Sequence, residues 1–128
     1  LTLRHYELDL CVTDINRTLK LSLVERKAWF SAMVHEKTAK KHASDYHLVM
    51  KHLGECCRAP TYVGLHGKHP DKIELILDVS MPDETVHVLV AVVIQLGRNG
   101  KYNIASAYCI NDDEVSQRVA RNSVHKIR

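Results

Sequence analysis

Between Lys72 and Ile110 the apolar residues fall into three runs separated by turn signals, and this pattern predicts strands over Lys72–Val79, Thr85–Leu96 and Tyr102–Ile110. In the middle run Val86, Val88, Val90, Val92 and Ile94 share one parity, while Leu89, Ala91 and Val93 share the other. A strand apolar on both parities is one covered on both faces, most simply by helices. Met81-Pro82-Asp83-Glu84 marks the first turn and Arg98-Asn99-Gly100 the second; an Asn-Gly pair is a hairpin signal because both residues tolerate positive φ. The expected centre is therefore a three-stranded antiparallel meander. Its last strand changes character at Ala105-Ser106-Ala107-Tyr108, where small and polar residues replace the Val and Ile of its neighbours.

Upstream the pattern turns helical. Ser22 with Glu25 three residues on reads as a capping box, and Leu23, Ala28, Trp29, Ala32 and Met33 follow near one helical stripe. The spacing from Glu36 to His42 is also compatible with helix. Ser44 or Asp45 then caps a helix over Tyr46–Cys57, with Leu48, Val49, His52, Leu53 and Cys56 inward and Pro60 as its stop. Thr61–His66 reads as a short strand, and residues 1–10 as an edge strand or short lead-in helix. After Ile110, Asn111 or Asp112 caps a final helix whose first turn holds Asp113 and Glu114, where the helix dipole favours acids. The expectation is an α+β fold, with N-terminal helices packed on a small twisted antiparallel sheet and a C-terminal helix. It forms one domain over 1–128: an N-terminal helical extension (1–35), a core (36–110) and the C-terminal helix (111–128).

At 128 residues the chain is long enough to bury a core without metals or disulfides. Its four cysteines lack the spacing of a zinc knuckle or a disulfide framework, with Cys56 and Cys57 adjacent, and are expected as buried thiols in a reducing compartment. The longest apolar run, Val88–Ile94, is too short to span a membrane, so no stable membrane insertion is expected. The first residue is Leu, which suits a processed product or a module of a longer polypeptide. The net charge of +3 is unevenly spread: residues 1–72 carry 12 Lys and Arg against 8 Asp and Glu, while 73–128 carry 6 against 7. Local basic patches of this kind fit a polyanionic partner, although mild positive charge also accompanies many proteins that bind nothing charged.

Nine histidines stand out in a chain that has no phosphate-cradling glycine loop, nucleophile elbow or magnesium-type acidic cluster. His35-Glu36 followed by His42 fails as a zinc-protease motif, because the second His comes seven residues after the first and not four. Histidine, lysine and hydroxyl groups do suit RNA cleavage that needs no metal or other cofactor. One group takes the ribose 2′-hydroxyl proton, another protonates the leaving oxygen, and a cation or N–H stabilises the phosphorane. Histidine, with a reference pKa of about 6.5, serves either transfer.

The segment Glu36-Lys37-Thr38-Ala39-Lys40-Lys41-His42, the helix end at Arg58-Ala59-Pro60-Thr61-Tyr62-Val63, the apolar meander with its glycine turn and the final Ser106-Ala107-Tyr108 together resemble the barnase–EndoU–colicin–RelE (BECR) nuclease superfamily. The resemblance is to its phage-associated and polymorphic-toxin branches, including toxin domains of contact-dependent inhibition, and it covers residues 36–110. It implies His42 as a helix-borne acid or base, and Ser106 and Tyr108 as groups that orient or stabilise the phosphate. By the period of two, those last two share a strand face. Lys68 or Lys72 would neutralise charge, with His66 a competitor; His69 and His87 are not ranked.

The implied function is a metal-independent ribonuclease toxin domain that cleaves RNA, tRNA above all, to a 2′,3′-cyclic phosphate. It would be made within a larger secreted or surface protein and would act in the cytoplasm of a target bacterium, with a cognate acidic immunity protein as its partner. The alternative is a non-catalytic RNA-binding or protein-interaction domain, including an immunity-like protein. Sparse exposed aromatics (Tyr46, Tyr62, Tyr102 and Tyr108 are the candidates) weigh against a base-stacking platform.

Overall fold

A computed structural model describes residues 3–128. The elements in order are β1 (Tyr6–Leu8), α1 (Val12–Leu19), β2 (Ala28–Phe30), α2 (Ala32–Lys41), α3 (Tyr46–Arg58), β3 (Tyr62–Leu65), β4 (Lys72–Ser80), β5 (Thr85–Val93), β6 (Tyr102–Ile110), α4 (Asp112–Ala120) and β7 (Val124–Lys126). The strands join in one seven-stranded sheet, ordered β1-β2-β6-β5-β4-β3-β7. Pairing is antiparallel except between β2 and β6, which run parallel. The α+β class and the β4-β5-β6 meander are as the residue pattern predicts. The sheet is mixed, however, and its helices are interspersed among the strands, which corrects the expected antiparallel sheet with N-terminal helices.

Two other corrections have local causes. The Ser22 capping box does not start a helix. Leu23 is held instead by Asn16, whose side-chain oxygen accepts from its N–H at 2.8 Å and whose side-chain amide donates to its carbonyl at 2.9 Å. Residues 28–30 then become β2, with Ala28 and Phe30 fully buried, and the cap moves to Ser31, whose hydroxyl accepts from Val34 N–H at 3.1 Å. At the other end the final helix does not reach residue 128. It closes at a Schellman motif, with Ser123 N–H on the Arg118 carbonyl, Asn122 N–H on that of Val119 and Asn122 in the left-handed region (φ 58°). The chain then returns as β7 beside β3. At the start of α4 the cap is Asn111, one of the two residues expected, and its side chain forms a capping box with Glu114.

The sheet is covered on both faces. Against one lie Val49, Leu53, Cys56 and Cys57 of α3 and Val12 and Ile15 of α1, packed on Ile73, Leu75, Leu77, Val88, Val90 and Val92. The other face is covered over part of its area by α4, whose Val115 packs on Ile76, Leu89 and Ile110. Cys56 and Cys57 are buried, Cys11 and Cys109 half-buried, and all four are free thiols. No helix among the described residues is long and apolar enough to cross a membrane.

A register shift explains the changed character of the last strand. Ala91 pairs with Ser106 but Val92 with Ile104, so Ala105 is an extra residue in β6. Such a bulge puts two residues opposite one and inverts the alternation across it. Tyr102 and Ile104 therefore face α3, while Ser106, Tyr108 and Ile110 face the α4 side. At the β5–β6 turn only Gly100 of the Asn-Gly pair takes positive φ (73°); the hairpin closes through Gly97 N–H to the Lys101 carbonyl at 2.9 Å.

Candidate functional site

The α4 side of the sheet carries rows of side chains set by strand register. Gly64, Glu74, Ala91 and Ser106 align across β3, β4, β5 and β6; the next row is Tyr62, Ile76, Leu89 and Tyr108. The period of two puts Lys72 on this face as well. α4 covers the second row and leaves the first accessible at its β6 end, where Ser106 is half-buried.

His42 caps the C-terminal end of α2, and its ring stacks on that of Tyr108 with centroids 5.1 Å apart and planes 19° from parallel. Burial raises the Tyr108 pKa, reinforced by the charges of Glu74 and Glu114 and opposed by that of Arg118. The hydroxyl therefore stays protonated at neutral pH, a donor for an anion. His42, Ser106 and Tyr108 thus share one side of the sheet.

On the facing strands lies a group that no spacing in the chain announces. Glu74 is only 2% exposed, and its carboxylate accepts from Arg118 Nε at 3.0 Å and Nη2 at 3.4 Å. Burial disfavours the Arg118 charge, but the hydrogen bond and charge of Glu74, with the charges of Tyr108 and Glu114, together prevail and raise the guanidinium pKa. The Nε2 of His66 stands 4.0 Å from Glu74. Its Nδ1 accepts from the backbone N–H groups of Lys68 (3.1 Å) and His69 (3.2 Å), so the ring proton sits on Nε2, towards Glu74. Gly64 makes this arrangement possible: a Cβ there would strike the Ser123 carbonyl and come within 2.7 Å of Val124 Cα. The chain leaving α4 packs on that bare backbone, and α4 carries Arg118 over Glu74.

Of the six residues singled out in the sequence, five lie on this side: His42, Ser106, Tyr108, His66 and Lys72. Lys68 contributes its backbone N–H to His66, while its side chain is exposed. Glu74 and Arg118 were missed. A lone Glu in an apolar strand was the available signal, since a carboxylate among Ile73, Leu75, Ile76 and Leu77 needs a partner.

Two further histidines are structural. His35 donates from Nδ1 to the Arg4 carbonyl at 2.8 Å and accepts the Tyr46 hydroxyl on Nε2, tying the chain before β1 to α3. His87 donates to Asp78 at 2.6 Å and to Asp112 at 2.5 Å, pinning the start of α4 to the sheet. Burial disfavours the charged ring, but the hydrogen bonds and charges of Asp112 and Asp78 prevail and its pKa is raised. A cavity of about 440 Å³ opens beside this clamp; Asp45, Glu84, Asp112 and Glu114 are among its lining residues. Among the described residues no group of three or more His, Cys, Asp or Glu is set to hold a metal ion.

Comparison with protein families, with curated proteins and with solved structures returned no match.

Proposed function

We propose that this chain is a BECR-type endoribonuclease that cleaves RNA by attack of a ribose 2′-hydroxyl on the adjacent phosphorus, with proton transfer by side chains. The observation that carries this reading is the pairing, on one sheet face, of the His42–Tyr108 stack with the Arg118–Glu74–His66 group. Tyr108 lies close enough to feel the charges of Glu74 and Arg118, so a phosphate bridging the two groups meets hydrogen-bond donors from both. In this mechanism the phosphate draws the Arg118 guanidinium off Glu74. The freed carboxylate takes the 2′-hydroxyl proton, and His42, as the general acid, gives a ring proton to the departing 5′-oxygen. The bond from phosphorus to the 2′-oxygen forms as that to the 5′-oxygen breaks, leaving a 2′,3′-cyclic phosphate and a 5′-hydroxyl. Arg118, Tyr108 and Ser106 stabilise the charge that builds on the non-bridging oxygens, where preorganised donors contribute most.

The same reading carries the toxin context: tRNA as substrate, delivery into another bacterium as part of a larger polypeptide, and an acidic immunity protein seated on this face. The test is incubation with total RNA in EDTA and analysis of the product ends. Cyclic phosphate ends that vanish with His42→Ala and fall sharply with Glu74→Gln support the mechanism. RNA left intact at high protein concentration refutes it.

A further inference from the structure

Beyond the reacting groups, the same face bears cations that no acid neutralises. Lys37 and Lys41 are one helical turn apart on α2, so their side chains leave the helix on the same side. α2 packs along β6, and Lys37 Nζ donates to the carbonyl of Ala105 at 2.7 Å, the extra residue of the β6 bulge. That bond aims the ammonium at the end of the sheet where Lys72 opens β4. Lys37 has its pKa lowered, first by burial and then by the charges of Lys41 and Lys72. Two lysines from α2 and one from β4 therefore lie close enough to repel. Lys40, by contrast, is paired with Glu36 on the outer side of α2. Among the described residues, none of Lys37, Lys41 and Lys72 is in an ion pair with a carboxylate. Holding like charges together costs free energy in the free protein, and an anion placed among them recovers it.

We propose that Lys37, Lys41 and Lys72 form a backbone-phosphate subsite that holds the RNA strand next to the scissile phosphate. The proposal rests on the nuclease reading for its ligand and deepens it. His42 lies one residue beyond Lys41 and stacks on Tyr108, two positions along β6 from Ser106. A strand whose phosphates are held by the lysines is thereby led onto the His42–Tyr108 pair. The substrate is then a polynucleotide with phosphates to spare beyond the one that reacts, one for each lysine, and a dinucleotide forgoes these contacts.

The experiment separates binding from cleavage. A 2′-O-methyl oligoribonucleotide has no free 2′-hydroxyl and cannot be cut by this chemistry, so its affinity is measured by fluorescence anisotropy against salt concentration in EDTA. Each phosphate contact with a single strand contributes about 0.7 to the slope of log affinity against log salt. The triple variant Lys37→Ala/Lys41→Ala/Lys72→Ala is expected to lose about two from that slope. Lys41→Ala/Lys72→Ala, which keeps the bond to Ala105, is expected to lose about 1.4. The triple Arg variant keeps the wild-type slope, as does Lys40→Ala, which removes an ammonium paired with Glu36 on the outer side of α2. An unchanged slope in both Ala variants, or no binding by the wild type at low salt, overturns the subsite. Should the slopes fall as stated while natural RNA stays intact, the subsite stands and the nuclease reading fails. Cleavage of RNA by a protein whose slope ignores the lysines overturns the subsite and leaves the nuclease reading standing.

Discussion

Removal of the Arg118 side chain is the most direct probe of how α4 and the sheet assemble this face. Arg118→Ala leaves the Glu74 carboxylate, 2% exposed, with His66 Nε2 4.0 Å away as its nearest basic group. Breaking a buried ion pair by deleting one partner costs about 3–5 kcal/mol, mostly through the charge left behind. Arg118 keeps 16% of its side-chain surface against 3% for Glu74, so water already screens one end of the pair and the lower end, about 3 kcal/mol, is expected. Against a total stability of roughly 5–15 kcal/mol the variant still folds. With a urea dependence of about 1–3 kcal/mol per molar, its unfolding midpoint falls by about 1–3 M. Glu74→Gln/Arg118→Met replaces both charges with groups of similar size, and is expected to recover most of that loss. Equilibrium urea unfolding of Arg118→Ala checks the first figure, and wild type, Glu74→Gln, Arg118→Met and the double variant close the cycle. A single-variant cost below about 1 kcal/mol, the range of exposed pairs, or additivity of the two substitutions would refute the buried-pair reasoning. Glu74 would then be free to adopt other partners.

Three further outcomes follow from other parts of the molecule. His87 has its folded-state pKa raised above the reference of about 6.5, so its clamp contributes fully below about pH 6.5 and fades as pH rises through the folded-state pKa. The stability difference between wild type and His87→Gln should accordingly be largest in mild acid and shrink with rising pH, and a difference independent of pH would count against the clamp. Gly64→Ala forces a Cβ into the Ser123–Val124 backbone, and is expected to lower the melting temperature by several degrees and, under the proposed function, to reduce RNA cleavage as α4 shifts. Gly67→Ala, with open space around it, serves as the silent control. Burial pushes the thiols of Cys11 and Cys57 up to about 12 and that of Cys109 to about 11. Native protein at pH 8 should therefore react slowly with a disulfide reagent and all four thiols quickly in urea; rapid native reaction would show that the core opens.

Much of the architecture is written in local pattern. Period-two alternation and turn residues locate β4, β5 and β6, because strand burial leaves a direct trace in side-chain order. Likewise the cap candidates Asn111 and Asp112, followed by the acids Asp113 and Glu114, locate the start of α4, and Pro60 lies just beyond the end of α3, since capping and the missing proline N–H act within a few residues. That Ser106 and Tyr108 share a face is legible for the same reason.

What local pattern leaves undecided is settled by contacts between distant segments. Ser22 and Glu25 have the composition of a helix start, yet Asn16 takes the Leu23 backbone first and residues 28–30 pair with β6. The bulge at Ala105 reverses which side of β6 meets α3, and the small residues there do not by themselves say that one of them is extra to the ladder. Arg118 and Glu74 are 44 residues apart, and only the packing of the α4–β7 chain on Gly64 closes that distance. Lys37, Lys41 and Lys72 likewise read as separate solvated charges until α2 lies along β6. Residue order thus determines the strands, the helix caps and the supply of histidine and lysine. Tertiary structure decides which of them meet, because a buried charge is held only where another element delivers its partner.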